Sequence, residues 1–306
     1  TKNYLPPPKA DGTLFPDASF TKAKPDGFSS STTTVDLSSL SNLSTPTTEV
    51  ANKTNSKFYY ATHTASGTPK CGSGYSRSNF TIVRSDADIA APSGVDAKTN
   101  YANWYSYYRT RIVTTRSAAG RVFVDLDATR FRIGFATIHT NTSTSDDAEF
   151  LNIRNFDSGS QKTDFFTRLY GTKPSGYTPL RSALNRAGRY FANKISGQTD
   201  PVEYSCQRNF TILSTDGYWN TNDEPSNWNR QLGSTSEIGN QDGPKAGGVV
   251  RPQLDDVKSG TNTGGDGASN TLADIALYYY KTDLRTSALN NCTGAVAGQD
   301  VCNNDV

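Results

Sequence analysis

Two stretches decide the fold: residues 176–184, GYTPLRSAL, and residues 209–217, NFTILSTDG. The second has aromatic and β-branched residues through Phe210, Thr211 and Ile212 and stops at Asp216-Gly217, a turn signal, so it predicts a buried strand followed by a turn. The first places Thr-Pro ahead of Leu180, Ala183, Leu184, Ala187 and Phe191, apolar residues at helical spacing, and predicts a helix over 179–194. Pro179 suits a first helical position, and Thr178 before it reads as the N-cap. Upstream, Tyr101, Trp104, Tyr105, Tyr108, Ile112 and Ala119 share one helical face, which predicts a helix over 101–119 whose aromatic stripe is core packing. Phe131–Thr140, FRIGFATIHT, is an almost continuous apolar run and reads as a strand covered on both faces. A short helix follows at 163–171. A last helix over 271–284 has Leu272, Ile275, Ala276, Tyr279 and Tyr280 on one face and Thr271 with Asp274 as a capping box. Helix, strand, helix, strand, helix is the alternation of an α/β domain, a partly parallel sheet with helices on both faces. It sets 131–138 beside 210–214 as central strands. Such sheets bind ligands at the carboxyl ends of their strands, where GYTPLRSAL and STDGYWN both fall.

The rest of the chain is polar and punctuated. Residues 1–57 alternate Pro, Gly, Asp and Ser without a sustained period and read as irregular, with β-like runs after them at Lys57–Thr62 and Asn79–Arg84. Residues 219–268 form a long polar loop, too long for a plain connector. The expected organisation is a β-rich or irregular segment over 1–97, an α/β core over 98–290, and a C-terminal loop over 291–306.

Composition narrows the function. The formal charge is 31 − 29 = +2, which gives no electrostatic footprint for nucleic acid or an anionic membrane. Mean hydropathy is −0.62, so no run approaches a membrane span, while 11% aromatic residues set the chain apart from disordered sequences. Methionine is absent even from position 1, which reads as a processed or excised product and leaves room for a removed signal peptide. The chain has four cysteines, Cys71, Cys206, Cys292 and Cys302, with no paired metal-ligand spacing. Cys292 and Cys302 close a short turn-rich loop and predict a local disulfide; Cys71 would then pair with Cys206. That usage and the Ser/Thr/Asn-rich composition point to export. Acceptor triplets for N-linked glycan occur at Asn42, Asn52, Asn79, Asn141, Asn209 and Asn291, a number that a chain so rich in Asn and Thr generates by chance.

GYTPLRSAL and FTILSTDG together resemble the von Willebrand factor A fold. YANWYSYYRTR (101–111), SAAGR (117–121), YSCQRNFTILSTDGYWN (204–220), GNQDG (239–243) and NTLADIALYYYKTDLR (270–285) are more closely similar to the type IV pilus tip adhesin family, the PilY and PilC proteins, as is LPPPKADGTLFPDASF (5–20). The resemblance implies a von Willebrand A-like domain lacking its first and last strands, and an exported, non-enzymatic module of the cell surface that binds pilus components or a host partner. It also implies a divalent-ion site, Mg²⁺ or Ca²⁺, to which Thr178 and Asp216 correspond. The DxSxS loop that completes such a site has no counterpart: Asp36-Leu37-Ser38-Ser39-Leu40 ends in Leu. One carboxylate and one hydroxyl are too few ligands for a hard cation, so tight binding needs ligands from elsewhere. Asp216 reads equally as a turn residue.

Other residues weigh against an enzyme. A carbohydrate-active alternative would need two opposed carboxylates, and Asp216 with Asp223 or Glu224 is the pair available. Trp219, Trp228 and Tyr218 could stack on sugars or anchor the loop. His63 and His139 are isolated and read as structural. GTNTGGDGASN (260–270) has the composition of one Gly/Asp calcium repeat, which cannot stack alone and reads as a loop. A scaffold for a neighbouring domain is the third reading.

Overall fold

The computed structural model describes residues 2–38, 60–63, 80–83, 89–139, 149–174, 176–215, 217, 219–220, 224–241 and 269–302. They fall into two compact units. The first comprises residues 1–127 with 169–173, and the second residues 128–168 with 174–306. The elements in chain order are β1 (Tyr60–His63), β2 (Phe80–Val83), α1 (Ala97–Tyr107), α2 (Arg111–Val124), β3 (Arg132–Ala136), β4 (Phe150–Asn155), α3 (Gln161–Gly171), α4 (Leu180–Phe191) and α5 (Leu272–Lys281).

In the first unit β1 and β2 pair antiparallel, with Tyr60 opposite Val83. The helix expected over 101–119 is two helices. α1 starts at Asp96, whose carboxylate accepts from the Thr99 amide at 2.8 Å. It ends at Tyr107 because side chains of the next helix take its last carbonyls: Ser117 Oγ donates to Tyr107 O at 2.7 Å and Thr114 Oγ1 to Tyr108 O at 2.5 Å. The aromatic stripe is core, as its spacing predicts. Tyr101 and Tyr105 are buried with Phe20, Ala23, Leu37 and Ile89. Most of that cluster's other members come from the N-terminal arm, so this arm and α1 fold as one unit, and the boundary drawn at 97/98 from composition runs through it.

Polar side chains of α1 fix the arm. Asn100 Oδ1 accepts from Tyr4 N at 2.6 Å, and Asn103 Oδ1 accepts from Ala18 N at 2.8 Å. Both asparagines are buried, so each amide supplies partners that the irregular arm cannot supply to itself. Arg116, 2% exposed, pairs with Asp26 at 2.9 Å. Phe28 stacks on Tyr170 with centroids 4.4 Å apart, and Phe15 meets Tyr170 edge-on.

In the second unit β3 pairs with β4, not with residues 210–214, and the ladder is antiparallel: Arg132 lies opposite Asn155 and Ala136 opposite Phe150. Both ladders among the described residues are antiparallel. The partly parallel sheet expected of 131–138 beside 210–214 is therefore corrected there: 207–215 enters no ladder. The register shifts between Ile133 and Phe135, at Gly134, where a Cβ would meet Leu151 O at 2.6 Å. Asn152 holds β4 in place from the buried side. Its Oδ1 accepts from the Tyr190 hydroxyl at 3.1 Å and from Thr199 N at 2.9 Å, and its carbonyl from Gln161 Nε2 at 2.8 Å.

α4 and α5 pack together, with Ala192, Leu232, Ile238, Ile275 and Tyr278 buried beside them. At the closest approach Gly188 faces the Tyr279 ring, and a Cβ there would lie 2.2 Å from ring carbons. The Tyr279 hydroxyl donates to Asn185 Oδ1. α5 carries the predicted capping box: Thr271 Oγ1 accepts from Asp274 N at 3.1 Å and Asp274 accepts from Thr271 N at 2.8 Å. Behind it Arg285, 5% exposed, pairs with Asp200 and donates to Phe191 O at 2.8 Å and Asn291 O at 3.1 Å. Asn291 is itself 5% exposed; its amide donates to Ala192 O and Leu284 O, each at 2.8 Å, and its Oδ1 accepts from Thr286 N at 3.0 Å. The C-terminal loop is closed by the Cys292–Cys302 disulfide, and Val301 packs with Phe191 and Val202. No helix among the described residues is long and apolar enough to cross a membrane.

Candidate functional site

The start of α4 is where the TPL and TDG stretches were expected to meet. Thr178 is half-buried, and its backbone is tied to the following loop from both sides. Thr178 N donates to Asn220 Oδ1 at 3.0 Å, and Asn220 N donates to Thr178 O at 3.1 Å. Thr178 is not the N-cap. That position falls to Pro179, which offers no capping side chain. Glu224 supplies the acceptor instead, its carboxylate taking Ser182 N at 3.0 Å and Arg181 N at 3.3 Å. A carboxylate at a helix N-terminus satisfies orphan amides and faces the positive end of the helix dipole. Arg181 reinforces the lock: it pairs with Glu224 at 3.3 Å, lies 4.4 Å over the Trp228 ring, and donates to Asn270 O at 3.2 Å. The loop over 224–241 is thus seated on α4, while Tyr177 (58%) and Trp219 (44%) stay exposed.

This geometry decides several expectations. Asp216, the acidic partner of Thr178 in the expected ion site, lies outside the described residues, as do Tyr218 and Asp223. The carboxylate that does stand at the start of α4 is Glu224, with its side chain 2% exposed and committed to two amides and a guanidinium. Both oxygens of that carboxylate are engaged by the start of α4, while Asp216 and Asp223, the other acidic residues of the expected ion site and carboxylate pair, lie outside the described residues. Trp228 anchors the loop under Arg181, which leaves its covered face unavailable for stacking. His139 stands exposed beside Gly176. His63 lies within β1.

The cysteines divide. Cys292 and Cys302 are bonded, as their spacing predicted. Cys206 is a free, exposed thiol among the described residues, held on the turn closed by Gln207 N donating to Tyr204 O at 3.2 Å; its expected partner Cys71 lies outside the described residues. Asp300 sits close to Cys292 and Cys302, but sulfurs joined to each other cannot bind a metal as thiolates.

The feature sequence reasoning placed in the wrong environment is the segment 209–215. Phe210 is 78% exposed and Ile212 84% exposed, where both were expected inside a sheet. Their apolar character was the signal for a covered strand, and in the structure both side chains face solvent.

Three curated relatives resemble this chain. The type IV pilus biogenesis factor PilY1 of Pseudomonas aeruginosa strain PAK is 34% identical over 226 residues, 69% of this chain and 18% of that protein. The same-named protein of strain UCBPP-PA14 is 34% identical over 198 residues, 63% of this chain and 16% of its own length. That of a third P. aeruginosa strain is 30% identical over 226 residues. The chain therefore spans less than a fifth of the length of the relatives it matches. No protein-family profile matches it, and no solved structure does. With 34% identity over 69% of its length, the chain belongs to the PilY/PilC family of type IV pilus proteins.

Proposed function

We propose that this chain is a non-enzymatic, exported module of a type IV pilus-associated protein and that it works by binding other proteins, pilus components first and a host surface second. The observation that carries the reading is the relationship to proteins named as pilus biogenesis factors over 69% of the chain. Two physical features support it. A disulfide-closed loop suits an oxidising compartment outside the cytoplasm. Apolar side chains held out to solvent at Phe210 and Ile212 suit a protein that spends exposed surface on a partner.

Near α4, Glu224, which the carbohydrate-active reading would use, is engaged by the amides of the helix and by Arg181. Immobilised chain exposed to purified type IV pili should give saturable binding. Absence of binding to pili and to their assembly components, together with release of reducing ends from a polysaccharide panel, would replace this reading with the carbohydrate-active one.

A further inference from the structure

Three successive prolines in the first unit, Pro6, Pro7 and Pro8, carry no backbone donor. Leu5, Pro6 and Pro7 each precede a proline, which keeps them out of the helical region and extends the segment. The carbonyls of such a run have no internal partner, and here side chains take most of them. Leu5 O accepts from the Tyr108 hydroxyl at 2.5 Å and from Arg121 Nη2 at 2.6 Å, Pro6 O from Arg121 Nη2 at 3.0 Å, and Pro8 O from the Tyr170 hydroxyl. Pro7 O takes the Phe15 amide at 2.9 Å. All three prolines are buried. Arg121 Nη2 also donates to the Tyr108 hydroxyl at 2.8 Å, and the Tyr4 ring lies against Tyr108 with centroids 5.2 Å apart, so these groups brace one another. Burial holds the Tyr170 hydroxyl far above the ordinary tyrosine pKa, which keeps it a donor.

We propose that Tyr108 just past α1, Arg121 on α2 and Tyr170 on α3 form a reader of extended proline-rich segments. Residues 4–8 are its resident ligand, and a proline-rich segment of a partner protein exchanges with them. The match is one of hydrogen-bond type. The three side chains that reach residues 5–8 all donate, and a run of prolines offers acceptors without donors. A segment with other residues in place of the prolines would bury amides for which Arg121 has no acceptor. Recognition of this kind is favoured because a proline-rich ligand is already extended and loses little conformational entropy on docking. The contacts are to carbonyls rather than to ligand side chains, so they admit other sequences of the same backbone form. The tether holds the arm at an effective concentration on the order of millimolar. A dilute peptide is therefore excluded, while a segment displayed at high local density is not.

The test opens the arm after the chain has folded. A protease site inserted at the exposed Asp11-Gly12 turn, where a Cβ on Gly12 would meet nothing within 4 Å, allows the native chain to be cut there. A fluorescent peptide of residues 2–11 should then exchange into the cut chain, saturably and reversibly, as read by fluorescence anisotropy. The uncut chain should take it up only near the tether's own concentration, about millimolar. An unrelated peptide that shares only Leu-Pro-Pro-Pro should compete for the same site. Replacing Pro6, Pro7 and Pro8 of the peptide by Ala should weaken binding by about tenfold or more, as should Arg121→Ala in the cut chain. Tyr108→Phe, which keeps the ring and removes one donor, should give a smaller loss in the same direction. An arm fragment that never exchanges, an alanine peptide that binds as well as the proline one, or failure of the unrelated Leu-Pro-Pro-Pro peptide to compete overturns the proposal. No pilus enters the experiment, so its outcome is independent of the reading of the chain as a pilus-associated module.

Discussion

Replacing Gly188 by Ala sets two effects of known size against each other. In the interior of a helix Ala is favoured over Gly by about 1 kcal/mol, which alone would stabilise the protein. Against it stands the Tyr279 ring, whose atoms lie 2.2, 2.2 and 2.4 Å from where the new methyl would be. Carbon atoms rest at about 3.5–4.0 Å, so the ring would have to retreat by more than about 1 Å. It is poorly placed to do so. Its hydroxyl is anchored on Asn185, and its face meets Tyr278 edge-on with centroids 5.0 Å apart. Burial also holds the Tyr279 hydroxyl far above the ordinary tyrosine pKa, so it remains a donor at any accessible pH. Overpacking of this kind costs about 1–3 kcal/mol, and losing the hydroxyl's hydrogen bond adds about 1 kcal/mol. The clash wins, with a net loss of about 1–3 kcal/mol once the propensity gain is subtracted. Urea unfolding followed by circular dichroism should show Gly188→Ala with a lower midpoint than the parent. In a Tyr279→Ala background the ring is gone, and the same substitution should now raise the midpoint. Stabilisation by Gly188→Ala in the parent, or the same sign in both backgrounds, would refute the packing argument.

Two further outcomes follow from the second unit. Glu224→Ala removes the cap of α4 and leaves Arg181 without its carboxylate, which should cost about 1–3 kcal/mol, with Glu224→Gln between it and the parent; urea titration measures this, and a loss below about 0.5 kcal/mol would show that the loop does not cap the helix. Replacing both Cys292 and Cys302 by Ser should cost on the order of 3 kcal/mol, the loop-closure entropy of a bridge with a sequence separation of 10, and peptide mapping without reductant should recover the linked pair only from the parent.

Local chemistry was legible where a residue and its partner lie within one turn. Thr271 and Asp274 are three positions apart, and their reciprocal capping could be read from spacing alone. Thr178 was misread because its competitor for the cap, Glu224, comes from 43 residues beyond Arg181, a separation at which no spacing rule operates. β4 was missed because Asn152 and Arg154 interrupt its apolar pattern; the buried amide is tolerated only through Tyr190, Thr199 and Gln161, which reach it from other elements. The segment 209–215 was read as a covered strand, and it enters no ladder among the described residues and leaves Phe210 and Ile212 exposed. β-propensity reports fitness for a pleated neighbour, and it cannot say whether that neighbour belongs to the same fold. For the ion site, sequence supplied Thr178 and Asp216; Asp216 lies outside the described residues, and what could not be read from spacing is that Glu224 comes to the start of α4.

The buried amide of Asn291 has a consequence for the order of events in the life of the chain. Asn291-Cys292-Thr293 has the form of an acceptor for N-linked glycan, yet its nitrogen is already given to Ala192 and Leu284 inside the fold. A transferase could reach that nitrogen only on a chain that has not yet closed around it, and a sugar attached then would bar Arg285, the disulfide loop and the end of α4 from assembling. In the folded chain this triplet is therefore closed to modification, whatever its sequence form. Asn209, on the exposed segment, is under no such constraint.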